Sequence, residues 1–111
     1  VSAGAAPPAG AYRVGRLADI PVGEGRAFAV GQEQVAVFRL RDGRIRAVSA
    51  VCPHAGGPIA DGQIDGAVVV CPLHLNVFEL DSGRSTTGQP PLRVFPVHAD
   101  GDEVVVELPA P

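Results

Sequence analysis

Tryptophan and methionine are absent from this 111-residue chain, and aromatic residues make up only 5% of it. The core must therefore rest on Val, Ile, Leu and Ala, filled out by Phe28, Phe38, Phe78 and Phe95. No apolar run approaches the roughly 18 residues that span a bilayer, so a membrane helix is not expected. Blocks of like charge are also missing. Nine basic and twelve acidic residues are interspersed for a net charge of −3, which leaves neither a basic groove for nucleic acid nor an Arg/Lys-rich amphipathic stretch for a membrane surface. The first ten residues are small and rich in Pro, Ala and Gly, without the basic start or continuous apolar stretch of a signal peptide. An unstructured segment over residues 1–10, a single domain over 11–109 and a cytoplasmic location are expected. Helix is hard to place anywhere.

Turn-formers are plentiful instead: 14 Gly and 11 Pro punctuate short segments of alternating and β-branched residues. Strands are expected at Tyr12 to Leu17, Arg26 to Val30, Gln34 to Leu40, Arg44 to Val51, Ala67 to Val70, Val77 to Leu80, Leu92 to His98 and Glu103 to Leu108. Arg41-Asp42-Gly43 signals a hairpin, with Arg39, Arg41, Arg44 and Arg46 as its solvated rim. Asp61-Gly62, Asp65-Gly66, Asp81-Ser82-Gly83 and Asp100-Gly101 mark further turns, and Gly88-Gln89-Pro90-Pro91 a stiff loop. Many short strands with frequent turns imply an all-β sandwich or barrel. Gly23-Glu24-Gly25 lacks the third glycine and the following helix of a dinucleotide fingerprint.

The chemistry is concentrated in two segments, Cys52-Pro53-His54 and Cys71-Pro72-Leu73-His74, separated by residues 55–70. They hold both cysteines and two of the three histidines. Two thiolates with two imidazoles suit either a tetrahedral zinc ion or an iron–sulfur centre. A Cys52–Cys71 disulfide would leave His54 and His74 without a role and would need an oxidising compartment. A Cys–His nucleophile explains one such pair but not its duplication. His98, outside both segments in a strand-like stretch, reads as a surface histidine.

These residues resemble the Rieske family: Cys-x-His, a spacer of about sixteen residues, then Cys-x-x-His. The flanking words agree, from Cys52-Pro53-His54-Ala55-Gly56-Gly57-Pro58 to Phe78-Glu79-Leu80-Asp81-Ser82-Gly83. The resemblance runs from about Tyr12 to Leu108. It implies a Rieske-type sandwich or barrel of short antiparallel strands, with a cluster-binding subdomain inserted over about residues 50–80. It also implies a 2Fe–2S cluster with Cys52 and Cys71 on one iron and His54 and His74 on the other. In the family the histidines lie towards solvent, which would make His54 and His74 the route for the electron. Ala55, Pro58, Leu73 and Leu75 would form a small apolar docking tip. Pro53 and Pro72 would stiffen the ligand loops, Gly56 and Gly57 would shape the backbone at the cluster, and Pro90 and Pro91 would belong to the loop that covers it.

Respiratory members join a second cysteine from each loop as a disulfide; Gly57 and Leu73 hold those positions here. They also place Ser and Tyr hydroxyls near cluster sulfurs where this chain has Asn76 and Phe78. Fewer hydrogen bonds to sulfur imply a low potential. A chain of this size, spent on the cluster domain, is expected to have no catalytic site of its own and to work with redox partners: a reductase or larger catalytic subunit, and a terminal acceptor. Its words lean towards the small subunit of NAD(P)H-dependent nitrite reductase. The ferredoxin component of an aromatic-ring-hydroxylating dioxygenase is the alternative within the family, and a zinc-stabilised interaction module the alternative outside it.

Overall fold

The computed structural model describes residues 10–31, 33–52, 58–72 and 75–108. Along them run β1 (Gly10–Arg16), a single 3-10 turn η1 (Leu17–Asp19), β2 (Gly25–Val30), β3 (Glu33–Arg39), β4 (Ile45–Ser49), a second 3-10 turn η2 (Ile59–Asp61), β5 (Gln63–Asp65), β6 (Val68–Val70), β7 (Val77–Glu79), β8 (Val94–Phe95), β9 (Val97–Asp100) and β10 (Glu103–Leu108). The strands pair antiparallel into three sheets, ordered β1-β10-β9, β2-β3-β4-β8 and β5-β6-β7. The all-β expectation holds. The expected unstructured segment 1–10 falls outside the described residues except for Gly10, which opens β1.

The four-stranded sheet sits between two cores. Successive side chains of a strand point to opposite faces. In β3, Val35 and Val37 therefore enter one core with Ala47, Phe95, Val104 and Val106, while Ala36 and Phe38 enter the other with Val48, Ile59, Val69, Phe78 and Leu80. All four β3 side chains are fully buried, so Val35-Ala36-Val37-Phe38 is an unbroken apolar run rather than an alternation. Burying each large side chain of this kind contributes roughly 1.5–3 kcal/mol. The second core holds both cysteines and joins the four-stranded sheet to β5-β6-β7.

Several local expectations are corrected. Leu92 to His98 is not one strand: Pro96 has no N–H for a ladder, and the chain changes sheets there, β8 pairing with β4 and β9 with β10. Leu17 leaves β1 for the 3-10 turn. Gln63-Ile64-Asp65, between the expected Asp61-Gly62 and Asp65-Gly66 turns and not expected as a strand, forms the edge strand β5, hairpinned to β6 through Gly66. Arg39 is not a solvated rim residue; it is half-buried and its guanidinium donates to the carbonyls of Leu17 (3.3 Å) and Ile20 (3.1 Å), satisfying the end of η1. Arg46 also has a partner, donating to Asp81 at 2.6 Å across to the turn after β7. This bond holds the Asp81 carboxyl below the usual carboxylate range, opposed by desolvation and aided by the nearby charges of Arg46 and Arg44.

Gly83 occupies that turn with φ +79, and a Cβ there would collide with the carbonyl oxygen of Leu92. Gly83→Ala is expected to lower the unfolding free energy by about 2–3 kcal/mol, read from urea denaturation; an unchanged midpoint would contradict this close approach. Asp81 has a depressed folded-state pKa, so its contribution is present above the unfolded carboxylate pKa of about 4 and is lost as pH falls through the folded value. The small stability difference between wild type and Asp81→Asn should therefore shrink below about pH 4. A difference that grows on acidification would reverse this assignment.

Candidate functional site

Cys52 follows β4 by three residues, and Cys71 directly follows β6. Both are buried, Cys52 at 2% and Cys71 at 0% exposure, in the one core shared with Ile59, Val69, Phe78 and Leu80. No disulfide joins them. The structure brings the two thiols to the same core; His54 and His74, with Pro53, Ala55, Gly56, Gly57 and Leu73, lie outside the described residues. His98 is exposed on β9, as expected.

Each ligand segment is closed by backbone bonds at its base. In the first, the Ile59 N–H donates to the Ala50 carbonyl at 3.0 Å, and Val51 and Pro58 form an antiparallel bridge. In the second, the Cys71 N–H donates to the Asn76 carbonyl at 2.8 Å and the Leu75 N–H to the Cys71 carbonyl at 3.0 Å. The first segment thus lies between β4 and η2 and the second between β6 and β7, each tied at its ends by backbone bonds, which presents side chains more accurately than an open loop does.

Two features of the second segment have little or no signal in the sequence. Leu75 has φ 58, a left-handed conformation rare for a branched side chain, and is 70% exposed. Asn76 is buried at 8% exposure, and its side-chain oxygen accepts from the Thr87 hydroxyl at 2.9 Å. The Ser/Thr content of Ser85-Thr86-Thr87 was the one available hint, since hydroxyls favour bonding nearby backbone in turns. Val51 and Pro58, which flank the first segment, are exposed, and so are Pro90 and Pro91. Phe78 is wholly buried in the core that holds both thiols.

The chemistry of this donor set fits an iron–sulfur centre: two thiols, shielded from water, not oxidised to a disulfide and carried on separately anchored loops. No helix among the described residues is long and apolar enough to cross a membrane.

Comparison with known proteins agrees. The sequence model of the Rieske 2Fe-2S domain matches residues 10–98. The 3-phenylpropionate/cinnamic acid dioxygenase ferredoxin subunit of Escherichia coli strain K12 is 31% identical over 96 residues, covering 84% of this chain and 89% of that one. Among solved structures, the ferredoxin of carbazole 1,9a-dioxygenase from Nocardioides aromaticivorans IC177 superposes with a TM-score of 0.80 at 31% identity, covering 87% of this chain and 96% of its own. A Mycobacterium tuberculosis protein described as the small subunit of an NADH-dependent nitrite reductase superposes with a TM-score of 0.84, covering 91% and 96%; its 24% identity speaks to fold alone. The match across most of the chain selects iron over zinc. The chain belongs to the Rieske 2Fe-2S family, as an electron-transfer protein carrying that family's cluster.

Proposed function

We propose that Cys52 and Cys71 bind one iron of the cluster and His54 and His74 the other, within a cluster-binding unit over about residues 50–80 of a single domain spanning 11–109. The observation that supports this most is the placement of both thiols, buried and unbridged, at the mouths of two loops closed by backbone bonds. When bound, the cluster takes up and returns one electron. The residues of the chain do the rest. Ile59, Val69, Phe78 and Leu80 keep water from the cysteine side, and a lower local dielectric strengthens every interaction with the centre. Phe78 brings no hydroxyl, so the reduced state gains no hydrogen bond from that position.

Electron-transfer encounters use small, transient contacts. Leu75, 70% exposed beside the second ligand segment, and Val51, 47% exposed beside the first, supply an apolar surface of that size. The partner is a redox protein: a reductase upstream, an oxygenase or larger catalytic subunit downstream. We place the protein in the cytoplasm, since nothing in its composition favours a membrane or an oxidising compartment.

Two systems are supported equally. The ferredoxin role rests on the 31% identity to dioxygenase ferredoxins. The nitrite reductase role rests on the His54 to Pro58 and Val77 to Gly83 words. Reconstitution separates them: the reduced protein either supports turnover by a ring-hydroxylating terminal oxygenase or restores NAD(P)H-linked nitrite reduction to a large subunit. Failure in both would overturn the proposed carrier role.

Protein-film voltammetry tests the potential. The midpoint is expected near the low end of the Rieske range, on the order of −150 mV; a value near +300 mV would contradict the low-potential reading. Phe78→Tyr should raise it by about 60 mV, a tenfold shift for one electron, because an O–H donated to sulfur favours the reduced state. An unmoved potential with lower stability would show the new hydroxyl buried without a sulfur partner, and would remove Phe78 from this account.

Leu75→Gly removes left-handed strain of about 1 kcal/mol. The variant should unfold at equal or higher temperature while the KM for electron transfer to the partner rises several-fold, as measured by steady-state reduction. Unchanged KM would discard Leu75 as a docking residue.

A further inference from the structure

Asn76 is the one buried polar side chain among the described residues, and what holds it is a hydroxyl pair on a distant turn. Thr87 donates through Oγ1 to Asn76 Oδ1 at 2.9 Å and accepts the Val77 N–H at 3.2 Å. A hydroxyl carries one proton and two lone pairs. The 3.2 Å contact between Ser85 Oγ and Thr87 Oγ1 must therefore run from Ser85 to Thr87. Ser85 Oγ in turn accepts the N–H groups of Thr87 and Gln89, each at 3.1 Å. Every site on both hydroxyls is then used. The acceptor load on Ser85 supports this amide orientation of Asn76: rotated by half a turn, it would force Thr87 to donate to Ser85, whose oxygen already accepts two N–H groups.

The far end of this relay is a cysteine. The Asn76 carbonyl accepts the Cys71 N–H at 2.8 Å, and the Thr86 N–H bonds the Val77 carbonyl at 3.0 Å alongside. Cys71 and Asn76 are thus anchored to each other by their backbone, and Asn76 to Thr87 by its side chain. We propose that Thr87, acting through Asn76, is a positioning residue for Cys71, a latch that holds the second ligand segment in the geometry that retains the cluster. This rests on the reading of Cys71 as a ligand. Thr87 itself is exposed, so the latch lies at the surface while the ligand it positions is fully buried.

The test uses the cluster-loaded protein and three substitutions. Thr87→Val keeps the shape and removes the hydroxyl; Thr87→Ser keeps the hydroxyl and removes the methyl group; Cys71→Ser removes the proposed ligand. The readouts are the rate at which visible absorbance bleaches under an iron chelator, the electron paramagnetic resonance line shape after reduction, and hydrogen exchange in β3 and β10. Thr87→Val should bleach about tenfold faster, the effect expected when a buried acceptor loses its donor, with a broadened line shape and unchanged protection in β3 and β10. Thr87→Ser should stay within about twofold of wild type on the same scale. The latch is overturned if Thr87→Val bleaches like wild type with the same line shape, or if Thr87→Ser is as impaired as Thr87→Val, since the methyl group would then be responsible. If Thr87→Val does not yield folded protein, Ser85→Ala decides: it leaves the Thr87–Asn76 bond possible but removes the donor that orients the Thr87 hydroxyl, so it should bleach about threefold faster, and wild-type behaviour would overturn the relay. Retention of an unaltered cluster by Cys71→Ser would instead refute the ligand reading, an outcome distinct from failure of the latch.

Discussion

The burial of β3 on both faces is the constraint on which this structure depends. A strand with alternating sides can serve two cores only if neither side is polar, and Val35-Ala36-Val37-Phe38 meets that condition. One face closes against β10 and the chain around it. The other closes against β6, β7 and η2, and it is on that side that both cysteines are held. The redox site is therefore not an appendage on a finished sandwich, because its thiols are part of the packing that fixes the third sheet to the second.

Such an arrangement suits a small protein with few aromatic residues. A chain of this length buries only about 65% of its unfolded surface, and the β5-β6-β7 sheet has strands of three residues each. Short strands have little ladder of their own, so this region draws stability from Phe38, Phe78 and Leu80 behind it, from the Arg46–Asp81 pair at its edge and from metal binding in front. Leu75 and Val51 are exposed while both thiols stay buried in the core behind them.

Much of this was legible in the sequence. Period-two patterning and Asp-Gly turns located most strands, and the spacing of Cys52, His54, Cys71 and His74 pointed to the family. What escaped did so for identifiable reasons. β5 is three residues between two turn signals, too short for periodicity to register. Leu92 to His98 alternates correctly through Pro96, and only the missing N–H reveals that the strand changes sheets. Arg39 has the composition of a solvated residue, but its partners are carbonyls about twenty positions upstream. The Ser85–Thr87–Asn76 relay joins residues about ten apart with no repeating pattern, and Leu75 takes a conformation that composition assigns to Gly or Asn. Hydrogen bonds between distant loops leave no period to read.

The assignment of two cysteines to one iron and two histidines to the other is the claim from which the rest follows. Mössbauer spectroscopy of the protein enriched in iron-57 measures it most directly. The account predicts two iron environments in equal amount, one with sulfur ligands only and one with mixed sulfur and nitrogen ligation, and on one-electron reduction the ferrous signal appears at the mixed site. A single iron environment, or a spectrum in which both irons carry only sulfur ligands, would contradict it.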